Sequence, residues 1–394
     1  MQSASSTNSS MNQHDPYLLR GAEIARDAEN CTAIIDDELF LGNLSAAESP
    51  QLMARLGITH ILSVCPDYLA IGANMQHLTL PMQDDEHFDI LQHLPSACRF
   101  IQDGVDAGGR VFVHCVMGIS RSATVVCAYL MFSQHISAAR AIQVVRTRRP
   151  RCRPNYNFVR QLLVWSECNY NPSEGVGPYI AWKEQQEFDQ LHSLRVTDGM
   201  HIIPNRLFLS FDFPSNAARA RALLARLGIT HIVSITPDAF SHLGIADRVH
   251  KHFIVPYNSK EALLLALPLL CQFVDGAIMQ DGSSCVFVHC TDEVRGGVAI
   301  CAYLMFARRI QPSHALEILQ DRVPLFEDNS LVRRHLELFQ ACEYAPTQAH
   351  PVVRAWLSTP GSPVPRQMPS YVTVKEGKYD ETVMGALFTG SVGA

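Results

Sequence analysis

The sequence lacks paired metal-ligand cysteines, an uninterrupted apolar span and an excess of positive charge. None of its 12 cysteines stand in C-x-x-C spacing, so a structural zinc site is not expected. At 394 residues the chain is too long for a small secreted disulfide scaffold. Scattered free thiols suit a soluble protein of a reducing compartment, cytoplasmic or nuclear. The longest apolar stretch, near 263–270, contains Pro268 and reads as too short to cross a bilayer, so no membrane span is expected. The N-terminal segment 1–16 is polar, rich in Ser and Asn, and has no signal-peptide apolar core. Lys and Arg number 32 against 38 Asp and Glu, a net charge of −6, which argues against nucleic acid as a partner. Only 18% of residues are charged while 47% are hydrophobic, which excludes a wholly disordered or coiled-coil chain. The length favours two or three domains.

The chain repeats itself. Residues 52–67 read LMARLGITHILSVCPD and residues 223–238 read LLARLGITHIVSITPD, identical at 12 of 16 positions. VFVHC at 111–115 returns at 286–290, and CAYLMF at 127–132 returns at 301–306. The offset is the size of a domain and too long for a solenoid, which predicts a tandem duplication. A linker over 173–197 separates the copies, with a short helix in WKEQQEFDQLHSL. The stretch 346–394, with Pro351, Pro360, Pro363, Pro365 and Pro369, reads as a mostly disordered tail, and 1–27 as a disordered N-terminus. Two domains remain, 28–172 and 198–345.

Within the first copy, 38–41, 59–64 and 111–113 read as short buried strands. The spacing predicts helices over 46–56, stopped by Gly57, and over 122–132 and 138–145. Strands alternating with helices predict an α/β fold, a mostly parallel sheet flanked by helices, with its site at the carboxyl ends of the strands.

One such end carries His114-Cys115-Val116-Met117-Gly118-Ile119-Ser120-Arg121-Ser122 between a strand and a helix. Successive loop N–H groups at a helix N-terminus form an anion nest, and a cysteine at its base is favoured as thiolate. Arg121 can fork two phosphoryl oxygens, and Gly118 lets the loop bend. The string H-C-x5-R-S in this setting resembles the signature of the dual-specificity branch of the cysteine-based protein phosphatases. The similarity runs from about Ile34 to Tyr170 and includes Pro154, Asn155, Phe158 and Gln161 of the family's closing helix.

The resemblance implies two dual-specificity-phosphatase-like domains in tandem, and phosphorylated Tyr, Ser and Thr in proteins as substrates, MAP kinases among them by family analogy. It implies Cys115 as nucleophile, Arg121 and the loop residues Val116, Met117, Gly118, Ile119 and Ser120 as phosphate binders, Ser122 as a hydrogen-bond donor to sulfur, and His114 as a support behind the loop. No cofactor or metal is called for. The family places an acid about thirty residues before the cysteine. Counting from Asp89-Ile90 assigns Asp84, with Asp85 its rival. The apolar Val116, Met117 and Ile119 favour a phosphoprotein over a phosphoinositide, and a non-catalytic phosphoprotein-binding scaffold is the remaining alternative.

Five arginines in 146–153 read as a basic rim for a second phosphate, or as a solvated surface or localisation signal. Cys65, after the strand 60–64, reads as a small core residue or, if that strand lies parallel beside that of Cys115, as its redox partner. In the second copy only four residues separate Cys290 from Arg295, Asp292 and Glu293 add negative charge, Gly296 replaces Ser122, and counting from Pro81 and Pro256 puts Ser259 where Asp84 stood. These changes predict a degenerate, pseudophosphatase domain.

Overall fold

The computed structural model describes residues 30–66, 75–237, 248–257, 259–280, 282–358 and 374–377. The expected disordered N-terminus and most of the expected tail lie outside these residues. The chain divides after Ser173 into two compact units, an α/β arrangement in each.

Unit 1 holds β1 (Cys31–Ile35), β2 (Leu39–Gly42), β3 (His60–Ser63), β4 (Gln76–Thr79) and β5 (Val111–His114), in sheet order β1-β2-β5-β3-β4. Among the described strands of unit 1 only the β1–β2 pair is antiparallel. Every residue of β2, β3 and β5 is buried, which is why these strands read as unbroken apolar runs rather than alternating ones. One face, carrying Phe40, Ile61 and Phe112, packs on α1 (Leu44–Ala47) and α2 (Pro50–Leu56) through Ala46, Ala47, Leu52 and Met53. Against the sheet also pack α3 (Leu94–Asp106) and α4 (Arg121–Gln134), with α5 (Ala138–Arg148) and α6 (Tyr156–Glu167) beside α4. Helix α4 is buried from Arg121 to Met131, so it has no polar face to orient it and no amphipathic period.

The helix expected over 46–56 is two helices. Ser49 accepts from Leu52 N at 3.3 Å as an N-cap, and Pro50 takes the first position of α2, where its missing N–H costs nothing. Gly57 ends α2 in the left-handed region, φ 64°, as expected.

Unit 2 opens with α7 (Gly177–Leu191), a 15-residue helix that buries Tyr179 and Trp182, where the sequence suggested a linker with a short helix. Its sheet comprises β6 (Met200–Ile203), β7 (Leu207–Ser210), β8 (His231–Thr236), β9 (Val249–Ile254), β10 (Val286–Cys290) and β11 (Val374–Gly377), ordered β6-β7-β10-β8-β9-β11. The first five follow the order of β1 to β5, and β11 adds an antiparallel edge to β9. The helices are α8 (Ala217–Arg226), α9 (Lys260–Gln280), α10 (Glu293–Arg308), α11 (Pro312–Arg322), α12 (Ser330–Ala341) and α13 (Pro351–Leu357). The segment read as a tail therefore begins with a helix, and Val353 of α13 is buried in the unit's core.

The apolar stretch read as too short to cross a bilayer belongs to a longer helix. Helix α9 runs 21 residues through Pro268. By length and composition it could cross a membrane, but Leu264, Leu267, Leu270, Cys271 and Val274 are core residues of unit 2. That packing offsets the backbone hydrogen bond that proline removes.

Candidate active site

Residues 115–120 leave β5 and enter α4 at Arg121. The bend is dictated by Gly118, whose φ is 64° and where a Cβ would lie 2.6 Å from Gly42 O. Three loop carbonyls are tied down. Val116 O accepts from Leu44 N at 3.1 Å, Gly118 O from Arg149 Nε at 3.1 Å and Ile119 O from Arg153 N at 2.9 Å. In a trans peptide the C=O and the following N–H point opposite ways. Holding these carbonyls outward turns the N–H groups of Met117, Ile119 and Ser120 inward.

Cys115 lies buried at the base of this loop. Its Sγ accepts from Gly118 N and from Ser122 Oγ, each at 3.2 Å, a setting that stabilises sulfur carrying negative charge. Arg121 is anchored by Nη1 to Met82 O at 3.1 Å, while its Nε has no hydrogen-bond partner among the described residues and lies 3.8 Å from Asp84 Oδ2. Asp84 Oδ1 accepts from Ser120 Oγ at 2.8 Å and from Asn155 Nδ2 at 2.9 Å. Asp85 instead turns outward and accepts from His87 N at 2.7 Å, a turn within its own loop. Gln161, buried in α6, clamps that loop by accepting from Ile90 N at 2.8 Å and Leu91 N at 3.2 Å and donating to Phe88 O at 2.8 Å.

Behind the loop, His114 Nε2 meets Ser63 Oγ at 2.6 Å, and Ser63 Oγ meets His77 Nε2 at 2.8 Å. Burial pushes the His114 pKa down to about 4, so the ring is neutral near pH 7 and serves as a prop. Cys65 is buried among Phe40, Met53, Ile61 and Phe112, on the sheet face that His114 shares. A second thiol that the sequence did not single out, Cys152, lies with its Sγ 3.8 Å from Gly118 O, and burial raises its pKa to about 12.

The five-arginine run does not act as one surface. Arg149 is 2% exposed and bonds Gly118 O and Thr32 Oγ1, so it braces the loop from behind instead of lining a rim. Arg148 pairs with both oxygens of Asp36 at 3.1 and 3.2 Å. Arg151 and Arg153 are exposed, and the Arg153 backbone is bonded to the loop. Of the site residues the sequence suggested, Cys115, Ser120, Arg121, Ser122 and Asp84 converge. The roles of Arg149 and Asn155 in holding the loop and the acid were not foreseen. Among the described residues no three His, Cys, Asp or Glu side chains group as metal ligands.

In unit 2 Cys290 is buried, and burial pushes its pKa up to about 12. Asp292 caps α10, accepting from Arg295 N at 3.0 Å with Oδ2 3.8 Å from Arg295 Nε. Arg295 donates to Val255 O and Pro256 O and stacks over Tyr257, 4.6 Å from the ring centre. The sheet register corrects the counterpart of Asp84. His60 pairs with Gln76 and His231 with Val249, so Met82 corresponds to Val255 and Asp84 to Tyr257, not to Ser259. The arginine anchors agree, Arg121 on Met82 O and Arg295 on Val255 O. Neither Tyr257 nor Ser259 is an acid.

Residues 39–168 match the family described as dual specificity phosphatase, catalytic domain. Over 168 residues the chain is 34% identical to dual specificity protein phosphatase 22-A of Danio rerio, covering 40% of this chain and 78% of that protein. The chain belongs to the dual specificity phosphatase family. It is 36% identical over 133 residues to dual specificity protein phosphatase Mpk3 of Drosophila melanogaster, 33% of this chain and 32% of that one. Among solved structures, the Yvh1 phosphatase domain of Chaetomium thermophilum is 37% identical, with 36% of this chain and 99% of that one covered and a TM-score of 0.34. The chain spans 32% of the length of Mpk3 and 48% of that of tyrosine-protein phosphatase yvh1 from Schizosaccharomyces pombe.

Proposed function

We propose that unit 1 hydrolyses phosphate monoesters of protein Tyr, Ser and Thr through a cysteinyl-phosphate intermediate. The observation that carries this is the convergence of a sulfur held by two donors, an arginine entering the helix after it, and a carboxyl group in ion-pair contact with that arginine. Cys115 sulfur attacks phosphorus, and the ester P–O bond breaks as Asp84 gives its proton to the leaving oxygen. Arg121 and the inward N–H groups stabilise the phosphoryl oxygens. Asp84, now a carboxylate, takes a proton from water as that water attacks phosphorus. The S–P bond breaks, and Ser122 and Gly118 N–H receive the charge on sulfur. No step requires a metal. The test is hydrolysis of a small aryl phosphate and of phosphopeptides by the full chain.

Val116 and Met117, 44% and 56% exposed, present apolar surface at the loop, which suits a peptide better than a multiply charged inositol headgroup. MAP kinases are proposed as substrates by family analogy, and the exposed Arg151 and Arg153 are proposed to meet a second phosphate. Cytoplasm or nucleus is proposed as the location, where reduced thiols persist.

The repeat in sequence and the shared strand order support a tandem duplication in which unit 2 is a pseudophosphatase domain. Its helix N-terminus is satisfied by the chain's own carboxylate, Asp292, which repels an incoming dianion. Cys290→Ser therefore leaves kcat on phosphopeptides unchanged, measured in the full chain. A loss of more than about twofold would give unit 2 a share in the chemistry.

Cys65 is proposed as the thiol that protects Cys115. Peroxide oxidises Cys115 to the sulfenic acid, and Cys65 sulfur displaces hydroxyl from it, releasing water and forming a disulfide. Peptide mapping after peroxide is expected to show a Cys65–Cys115 bridge that reductant reverses. A bridge to Cys152 in its place would reassign the partner.

A further inference from the structure

The hydrogen bonds around Asp84 decide which of its oxygens carries the transferable proton. Asn155 caps α6 by accepting from Phe158 N through Oδ1 at 2.9 Å. That fixes the amide orientation, because the oxygen must face the helix and the NH2 group must face away from it. The NH2 group then meets Asp84 Oδ1 at 2.9 Å. Ser120 is equally constrained. Its hydroxyl oxygen accepts from Asn155 N at 3.2 Å, and its one hydrogen goes to the same Asp84 Oδ1 at 2.8 Å. Both lone pairs of Oδ1 are thus taken by donors whose direction is set by other bonds. Among the described residues Oδ2 has no such donor, and it lies on the side of Arg121, 3.8 Å from its Nε.

We propose that Asn155 and Ser120 are positioning residues that pin Asp84 through Oδ1, so that the neutral acid carries its hydrogen on Oδ2 and presents it toward the phosphoryl site. This inference rests on the phosphatase reading of unit 1 and goes beyond it. Asn155 touches neither phosphate nor sulfur. It acts through Asp84, 71 positions away in sequence. The same residue starts α6, whose Gln161 clamps residues 88–91, so one helix sets both the loop and the rotation of its carboxyl group. Arg121 is the charged side chain in ion-pair contact with Asp84, and the titratable neighbours on its own loop, Asp85, Glu86 and His87, are exposed.

The experiment uses the full chain and two variants that keep an oxygen at the helix cap, Asn155→Ser and Asn155→Asp. Each is assayed on phenyl phosphate, whose leaving group needs a proton, and on dinitrophenyl phosphate, whose leaving group does not. Asn155→Ser is expected to lower kcat about tenfold on phenyl phosphate and less than about threefold on dinitrophenyl phosphate. This ratio is independent of how much enzyme folds. Asn155→Asp places a second carboxylate against Oδ1 and moves the alkaline limb of kcat for phenyl phosphate to higher pH. Equal losses on both substrates with an unmoved limb would overturn the pinning, while Cys115-dependent hydrolysis would keep the phosphatase reading. Absence of Cys115-dependent hydrolysis on either substrate would overturn both.

Discussion

Cys115→Ser is expected to reduce turnover by at least about 10⁴-fold, to the background of the assay. A serine hydroxyl at the same place would need a base, and the site supplies none. His114 is neutral and buried, with Nε2 committed to Ser63 and Nδ1 directed at the Cys115 carbonyl. Arg121 is a cation, and Asp84 is held by Ser120 Oγ and Asn155 Nδ2, whereas the sulfur is held by Gly118 N and Ser122 Oγ. The loop N–H groups and Arg121 are untouched by the change, so the variant retains binding of inorganic phosphate as a competitive ligand. Titration of phosphate binding beside steady-state kinetics separates the two effects. Turnover within about tenfold of wild type would place the chemistry on another residue.

Asp84→Ala is expected to lower kcat on phenyl phosphate about 100-fold with KM little changed, because the proton is needed only as the ester bond breaks. The loss shrinks on dinitrophenyl phosphate, whose leaving group departs as an anion. Asp85→Ala stays within about twofold on both, since its carboxylate faces solvent and bonds only its own loop at His87 N. A crippled Asp85→Ala beside a near-normal Asp84→Ala would exchange the two assignments.

How much of this was legible depends on how local each feature is. The sulfur, the bend and the arginine lie within seven residues of one loop, and the strand before it and the helix after it are apolar runs. Asp84 was singled out as the candidate acid by its distance along the chain and its place before Asp89-Ile90, and the structure sets it 3.8 Å from Arg121. The break at Ser49-Pro50 was a local signal too, a cap followed by the one residue suited to a first helical position, but the apolar period across it read as continuous. Other features had no local sign. Arg149 looks like its neighbours, and only the packing of β1, α5 and the loop makes it the buried one. The pairing of Asp84 with Asn155 spans 71 positions. In unit 2 the prolines misled the count. Pro256 follows a six-residue strand, β9, while Pro81 follows a four-residue one, β4, so aligning them shifts the register by two. The apolar stretch around Pro268 looked short because the helix carrying it extends to Gln280, held by buried Leu264, Leu267 and Leu270.

The central claim is that Cys115 of unit 1 carries the phosphoryl group. Its most direct test is to quench the full-length Asp84→Ala variant with acid during turnover of dinitrophenyl phosphate, digest it, and locate the phosphate by mass. This account predicts phosphate on the peptide containing Cys115, with none there when Cys115→Ser is added. Phosphate on the Cys290 peptide, or sustained turnover with no phosphate on any cysteine, would contradict it.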